Sequence, residues 1–215
     1  MSFQLNVAGK NLQLSSGRAL YWTELEALIL SDLHLGKAAH FRKHGIPQPE
    51  DSGRDTLARL DWLINAYEPK SVIFIGDLFH SSINRNWKNF INFRMKFDEL
   101  EMILVRGNHD ILNDSDYANA SLTLKNTLYL APFFFVHDPG LQIKEPEGSI
   151  TVSGHIHPGI RIKGKGRQSI SLPCYYLQNG RLILPAFGTL TGIYPVKKKK
   201  GNRIFAISDD SVFEV

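Results

Sequence analysis

The stretch SDLHLGKAAHFRKHG, residues 31–45, follows directly on the apolar run ALIL at 27–30. A short aliphatic run of this kind reads as a strand buried on both faces, the kind of strand that parallel sheets place between covering helices. Two further runs share the character, SVIFI at 71–75 and MILV at 102–105, and each is followed at once by polar residues. Between the first two, residues 51–67 place Leu57, Leu60, Leu63 and Ile64 at helical spacing. Between the second two, residues 87–100 repeat the pattern with Trp87, Phe90, Ile91, Phe93, Met95 and Phe97. Strand, helix, strand, helix, strand predicts a right-handed parallel α/β unit, with these aromatic residues in its core and not on a base-stacking surface.

Upstream, FQLNV and NLQLS alternate apolar and polar residues around Ala8-Gly9-Lys10, a hairpin closed at the glycine, and a turn at 15–18 leads into a strand at 19–22. Downstream, β-like segments at 127–136, 149–153, 159–162, 169–176, 181–184 and 203–207 are separated by Gly, Pro and Asn, as in an antiparallel half. No linker-like stretch divides the halves, so residues 1–215 read as a single domain of two packed sheets. Hydrophobic residues make up 43% and charged residues 21% of the chain, an ordinary soluble balance, and no apolar run approaches the ~18 residues of a membrane span. The start MSFQLNVAGKN lacks a secretory pattern, and the lone Cys174 excludes an internal disulfide, so a cytoplasmic location and a structural cysteine are expected. The formal net charge of +4 permits a polyanionic partner without demanding one.

Ligand-type residues gather where strands end: Asp32 with His34, Gly76-Asp77, Gly107-Asn108-His109-Asp110, His137, and Gly154-His155-Ile156-His157. In open α/β sheets the carboxyl ends of parallel strands converge on one crevice, so these distant groups are expected to meet. Side chains two apart on a strand point the same way, which makes Asp32 with His34, and His155 with His157, two pincers. The glycines before Asp77, Asn108 and His155 suit points where the backbone bends sharply or approaches closely. Two carboxylates, one amide oxygen and four imidazoles, with no thiolate, suit Mn²⁺, Fe²⁺ or Zn²⁺ and argue against an iron–sulfur cluster or a closed structural zinc. The set exceeds what one ion takes and fits two ions sharing a carboxylate, a pair that can activate a bridging water and clamp a phosphoryl group.

DxH, GD, GNHD, a lone H and GHxH, in that order, resemble the calcineurin-like metallophosphoesterase superfamily across residues 31–157 and the flanking strands. The resemblance implies an α/β fold, a four-layer αββα sandwich of two mixed β-sheets flanked by helices. It implies two divalent ions, Mn²⁺ foremost, with Asp32, His34 and His157 on one, Asn108, His137 and His155 on the other, and Asp77 bridging. His109 is then free to protonate the leaving alkoxide or steady charge on the phosphorus oxygens, and Asp110 is read as orienting it.

A narrower resemblance rests on SDLHLGKAAHFRKHGIPQPE with GHIHPGI and LPAFGTLTG, which are similar to the ligase-associated DNA damage response endonuclease family of bacteria, close to the archaeal Icc-like phosphoesterases. It spans nearly the whole chain and departs only at TGI, residues 191–193, where a further glycine is expected in a loop. GDLFH, residues 76–80, is similar to the matching segment of the nuclease subunit of the double-strand-break repair complex, in which the trailing histidine lies near the scissile phosphate. His80 is therefore expected to contact substrate as a second catalytic histidine.

The function expected is a two-metal phosphodiesterase that cuts DNA during repair. By resemblance it works alongside an ATP-dependent DNA ligase and a helicase, with no membrane partner. Lys37, Arg42 and Lys43 read as phosphate-backbone contacts, His40 and His44 as surface residues, and KKKK at 197–200 as a solvated loop. The alternative substrate is a small phosphodiester or nucleotide. A catalytically silent scaffold is opposed by the intact Asn108-His109. A monophosphatase reading survives, because two-metal sites hydrolyse mono- and diesters alike and access decides which; the lack of a large cap-like insertion after GD or GNHD leaves the site open enough for a polymer.

Overall fold

The computed structural model describes residues 2–43, 45, 52–80, 83–164, 166 and 168–215. A first sheet of seven strands runs in spatial order through β1 (Ser2–Val7), β2 (Lys10–Ser15), β3 (Leu20–Trp22), β4 (Ala27–Ser31), β5 (Ser71–Ile75), β6 (Glu101–Val105) and β7 (Thr123–Lys125). The second sheet takes β8 (Leu128–Leu130), β9 (Phe133–Phe135), β10 (Ile150–Ser153), β11 (Pro158–Lys163), β12 (Ser169–Gln178), β13 (Arg181–Ile183), β14 (Tyr194–Pro195), β15 (Asn202–Ile207) and β16 (Val212–Glu214). Among the described residues four α-helices, α1 (Lys37–Lys43), α2 (Ser52–Tyr67), α3 (Arg85–Lys96) and α4 (Asp114–Asn119), all precede the second sheet, and none is long and apolar enough to cross a membrane.

The three aliphatic runs are the parallel strands β4, β5 and β6, in register at Ala27↔Ser71 and Val72↔Met102. Every residue of β4 and β5 is buried because both faces are covered. On one face Leu57, Leu60, Leu63 and Ile64 of α2 and Trp87 and Phe90 of α3 pack against Leu28, Leu30, Val72, Phe74 and Leu104. On the other, Ile29, Ile73, Ile75 and Val105 meet Phe133, Phe135, Val152, Leu182 and Phe205 of the second sheet. Phe135 is fully buried in this inter-sheet core, and truncating it to alanine would cost about 3–5 kcal/mol.

Several expectations change in detail. The downstream half is mixed and not antiparallel, because β10 pairs in parallel with both β9 and β13. The segment at 127–136 is two antiparallel strands, β8 and β9, split at Ala131-Pro132, where proline has no N–H for a ladder. The helix expected at 87–100 is α3, which starts under an Asn84 cap that accepts from Asn86 N–H at 2.8 Å and ends at Lys96, leaving Met95 70% exposed and outside the expected core. Both mixed sheets of the αββα arrangement are present. On the second sheet, strand alternation sends Cys174, Tyr176, Ile183 and Ile204 away from the inter-sheet core into a small cluster closed by Val196, with no described helix beyond Asn119. Burial pushes the Cys174 thiol up to about 12, so it stays protonated.

Candidate metal centre

The chain leaves β4 at Ser31 and β5 at Ile75 as a ladder continued through bends: Asp32 N–H donates to Gly76 O at 3.1 Å, His34 N–H to Asp77 O at 2.8 Å and His80 N–H to Leu35 O at 2.9 Å. The pincers are not made by strand alternation. Asp32 (φ +56), His34 (φ +48), Asp77 (φ +50), His155 (φ +70) and His157 (φ +50) all lie in the left-handed region, at about 1–3 kcal/mol each for residues with a Cβ. Strain concentrated at five such positions around one point is repaid elsewhere, here by the packed sheets behind them.

The glycines serve close approach. A Cβ on Gly76 would lie 2.2 Å from His137 Nδ1, one on Gly107 2.3 Å from Asp77 Oδ1, and one on Gly154 1.7 Å from Ser31 Oγ. Each glycine lets one loop touch the ligand-type residue of another.

Two clusters result, Asp32 with His34 and His157, and Asp32 with Asp77 and His137. His157 Nε2 is 3.2 Å from Asp32 Oδ1, and His34 Nε2 is 3.4 Å from His157 Nε2. Asp77 stands between the two sides, with Oδ2 3.7 Å from His34 Nε2 and Oδ1 3.4 Å from His137 Nε2. His155 Nδ1 closes the second side, 3.3 Å from His137 Nε2 and 3.1 Å from Asn108 Oδ1. All seven expected ligands therefore meet at one place.

Ring nitrogens, an amide oxygen and carboxylate oxygens converging at such distances form a donor set that a bound cation satisfies. Asp32 Oδ1 is buried without a hydrogen-bond partner while three imidazoles surround it, and an orphaned carboxylate oxygen among nitrogen donors fits hard or borderline divalent ions. The outward atoms are fixed. Asp32 Oδ2 accepts from Ser31 Oγ–H at 2.6 Å and from His155 N–H at 3.0 Å. His137 Nδ1 faces Ile75 O at 2.9 Å, and His34 Nδ1 faces His80 Nδ1 at 3.1 Å, so both rings can turn Nε2 inward.

Charge follows burial and neighbours. Burial alone would raise the Asp32 and Asp77 carboxyls, but His157 and His137 for the first, and His137 for the second, hold both below the usual range. Burial and then the Lys37 charge push His34 down to about 3, leaving it neutral and able to bind an ion. Burial would also lower His137, yet Asp77 and Asp32 outweigh it and raise it to about 9.

The remaining candidates fall around this cluster. His109 is half-buried, its N–H donating to Asp77 Oδ1 at 2.9 Å and its ring 4.0 Å from that of His80. His80, half-buried like His109, thus lies against the rings of both His34 and His109. Asp110 does not face the His109 ring. Its buried carboxylate accepts from Asp77 N–H and Gly107 N–H, each at 2.8 Å, and from Phe79 N–H at 3.2 Å, so it ties the GD loop to the GNHD loop. Burial pushes its carboxyl up to about 6.

Lys37, the first residue of α1, is half-buried, and its charge reaches Asp77 and Asp32. Arg42 is half-buried on the last turn of the same helix. The side chains of His40 and Lys43, and all of His44, lie outside the described residues. Sequence reasoning assigned no role to Ser31, whose hydroxyl braces Asp32, or to the segment at 186–188, whose Phe187 and Gly188 N–H groups bond Ser31 O and Asp32 O at 2.9 Å. The polar Ser31 ending an otherwise aliphatic strand was the available signal.

Residues 25–169 match the calcineurin-like phosphoesterase family. Among solved structures, the chain is similar over the full length of both proteins to the Pseudomonas putida nuclease MPE, at 26% identity and a TM-score of 0.82. It is also similar to Yfce, a phosphoesterase from E. coli, at 16% identity and a TM-score of 0.47 over 88% of this chain and 97% of that one. None of the curated proteins matches it. The family match runs across every loop that supplies the cluster, and the chain belongs to the calcineurin-like phosphoesterases, metal-dependent hydrolases of phosphate esters.

Proposed function

We propose that the protein is a DNA-cutting phosphodiesterase that uses two divalent ions, Mn²⁺ first among them, and acts in DNA repair. The observation that supports the substrate most is the full-length likeness to a protein named as a nuclease. The geometry agrees: Asn108 is exposed and His109, His155 and His157 half-buried, so one side of the cluster is open to a polymer.

In this reading Asp32, His34 and His157 would hold one ion and Asn108, His137 and His155 the other, with Asp77, which faces both His34 and His137, available to each. Such a pair supplies an activated water and neutralises charge on the phosphoryl oxygens. The chain's own residues do the rest. Asp110 and Ser31 keep Asp77 and Asp32 in place, Lys37 attracts the phosphate, and His109, half-buried with its ring beside that of His80, donates a proton to the leaving oxygen. Burial depresses His109, so at neutral pH it must take up a proton from solvent before giving it.

A second reading, hydrolysis of a small phosphodiester, is favoured by a groove of about 840 Å³ beside His155, lined by Gln178, Asn179, Arg181 and Ile183, with room for one nucleotide. Metal-free protein incubated with single-stranded and nicked DNA, with and without Mn²⁺, separates the two. Cleavage is expected only with metal, and more strongly inhibited by unlabelled DNA than by cyclic nucleotides. Intact strands in the presence of a turned-over small diester would leave the second reading standing alone.

A further inference from the structure

Behind the segment at 186–188, on the side away from the carboxylates, two arginines converge without an acid. Arg18 lies in the turn between β2 and β3, and its Nη1 donates to Ala186 O at 3.4 Å. Arg59, on α2, donates from Nη2 to Phe187 O and lies 4.2 Å over the Phe187 ring. Neither guanidinium has an ion-pair partner among the described residues, and Arg59 Nε is buried with no acceptor. Burial lowers both groups, and Arg59 is lowered further, to about 10, by facing Arg18. Two half-buried like charges with an unused N–H are unfavourable alone and become favourable when an oxyanion joins them. The planar, multi-donor guanidinium suits a phosphate in that place.

The same arginines connect to the metal centre. A hollow of about 140 Å³ is lined by Arg18, His157, Pro173, Thr189 and Thr191. A larger one of about 730 Å³ is lined by Arg18, Arg59, Trp62 and Pro173. Arg18 and Pro173 border both, so the hollow beside His157 and the hollow beside Trp62 adjoin. Trp62 is 56% exposed, whereas Trp22 and Trp87 are 4% and 5% exposed. An indole left on the surface beside unpaired guanidinium groups is suited to stack a base, an interaction of about 1–3 kcal/mol per base. Asp209 and Asp210 also line the larger hollow and oppose an anion there, but both are exposed to solvent, which screens them.

We propose that Arg18, Arg59 and Trp62 form a second subsite for a single strand of nucleic acid. The scissile phosphate lies at the metal centre, the strand passes His157, a neighbouring phosphate rests on the two arginines, and its base stacks on Trp62. The proposal rests on the nuclease reading and adds a direction to it.

The test uses the full-length protein. Titrating the metal-free protein with a short oligothymidylate is expected to quench its tryptophan fluorescence, and Trp62→Phe, which keeps both buried indoles, abolishes the quench. In the Mn²⁺-loaded enzyme, the ratio of kcat/KM on the oligonucleotide to that on bis-p-nitrophenyl phosphate is expected to fall about tenfold in Trp62→Ala, mostly through KM. Arg59→Gln is expected to flatten the log–log salt dependence of strand binding by about 0.7, the loss of one phosphate contact. A strand that is bound and cut with no quench, or a ratio unmoved in both variants, overturns the subsite and leaves the nuclease reading intact. Equal falls on both substrates assign the residues to support of the 186–188 segment and also overturn it. A wild type that neither binds nor cuts any strand overturns the nuclease reading itself, and this proposal with it.

Discussion

The two walls of the metal centre are built differently. On the inner wall Asp32, His34, Asp77 and His137 are 0–6% exposed, and each has a partner outside the cluster: Ser31, His80, the His109 amide and Ile75 O. On the outer wall Asn108, His109, His155 and His157 are half-buried or exposed, and their side chains lean mainly on the inner wall and on one another. The inner wall is an extension of the core, in place once the sheets pack. The outer wall is more open to solvent, so changes within should cost ions and stability, and a change at His109, the one outer-wall residue assigned to no ion, should cost rate.

Asp77→Asn tests the inner wall most severely. The amide keeps the shape of the group that faces both His34 and His137 but removes its charge. A fall of more than about 10³-fold in kcat/KM on bis-p-nitrophenyl phosphate is expected, beyond the loss of a single charge-stabilising donor. Metal analysis should show fewer ions per chain. If the variant kept both rate and ions, the division into two walls would fail.

On the outer wall His109→Gln should lower kcat on the order of 10²-fold, a typical general-acid contribution, while ion content and thermal stability stay close to wild type. Loss of ions in this variant would mean that His109 also holds the centre together. Asp110→Asn should show the reverse emphasis. Three amides aim at its carboxylate, and asparagine turns an NH₂ toward at least one, a mismatch of about 1–3 kcal/mol in stability. Activity should fall about tenfold, as for partners that brace a ligand. A rate loss without a lower Tm would restore Asp110 to the role of orienting His109.

The walls also differ with pH once metal is removed. His137, raised from 6.5 to about 9 between Asp77 and Asp32, stabilises the metal-free fold while protonated. That contribution is fully present below pH ~6.5 and is lost as pH rises through about 9. Ion binding requires the neutral ring, so affinity for metal rises over the same window. Tm of metal-free protein should therefore fall between those limits, and that of Mn²⁺-saturated protein should not. Parallel curves would show that His137 is neutral in both forms.

What the sequence disclosed, and what it hid, follows the same line. Asp32, His34, Asp77, Asn108, His137, His155 and His157 were legible because each block sits at the end of a local pattern, a run of aliphatic residues or a glycine. The angle at which they meet was not, since five of them need left-handed backbone that residue type does not announce. Asp110 was misread because an aspartate beside a histidine in sequence suggests a pair, whereas its carboxylate bonds amides from a loop more than thirty residues away. The parallel neighbours of β10 were hidden for a similar reason: alternation gives a strand its faces but not its partners. Arg18 and Arg59 attracted no notice because nothing local marks a cation that will lack an anion.

The smallest effect is expected at the lysines of residues 197–200. All four are exposed, and the ordered contacts here are made by backbone: Lys199 N–H donates to Asn202 Oδ1 at 2.9 Å, and Asn202 Nδ2 to Lys197 O at 3.0 Å. The segment leaves the outer wall at His157, whose carbonyl accepts from Tyr194 N–H at 2.8 Å, and its last bond to β11 is Val196 N–H to Gly159 O at 2.8 Å. Beyond that point charge acts through water, where screening sets in over about 8 Å at physiological salt. Replacing all four by glutamine should change hydrolysis of bis-p-nitrophenyl phosphate by less than about twofold, as removal of solvent-exposed charge usually does. Strand affinity should fall only a few-fold, with the log–log salt slope reduced by about 0.7 for each lysine that meets a phosphate. A loss as large as that of Trp62→Ala would show the strand leaving the outer wall along β14 and not past Arg18, which makes the two substitutions, measured side by side, a comparison of the two exits from one site.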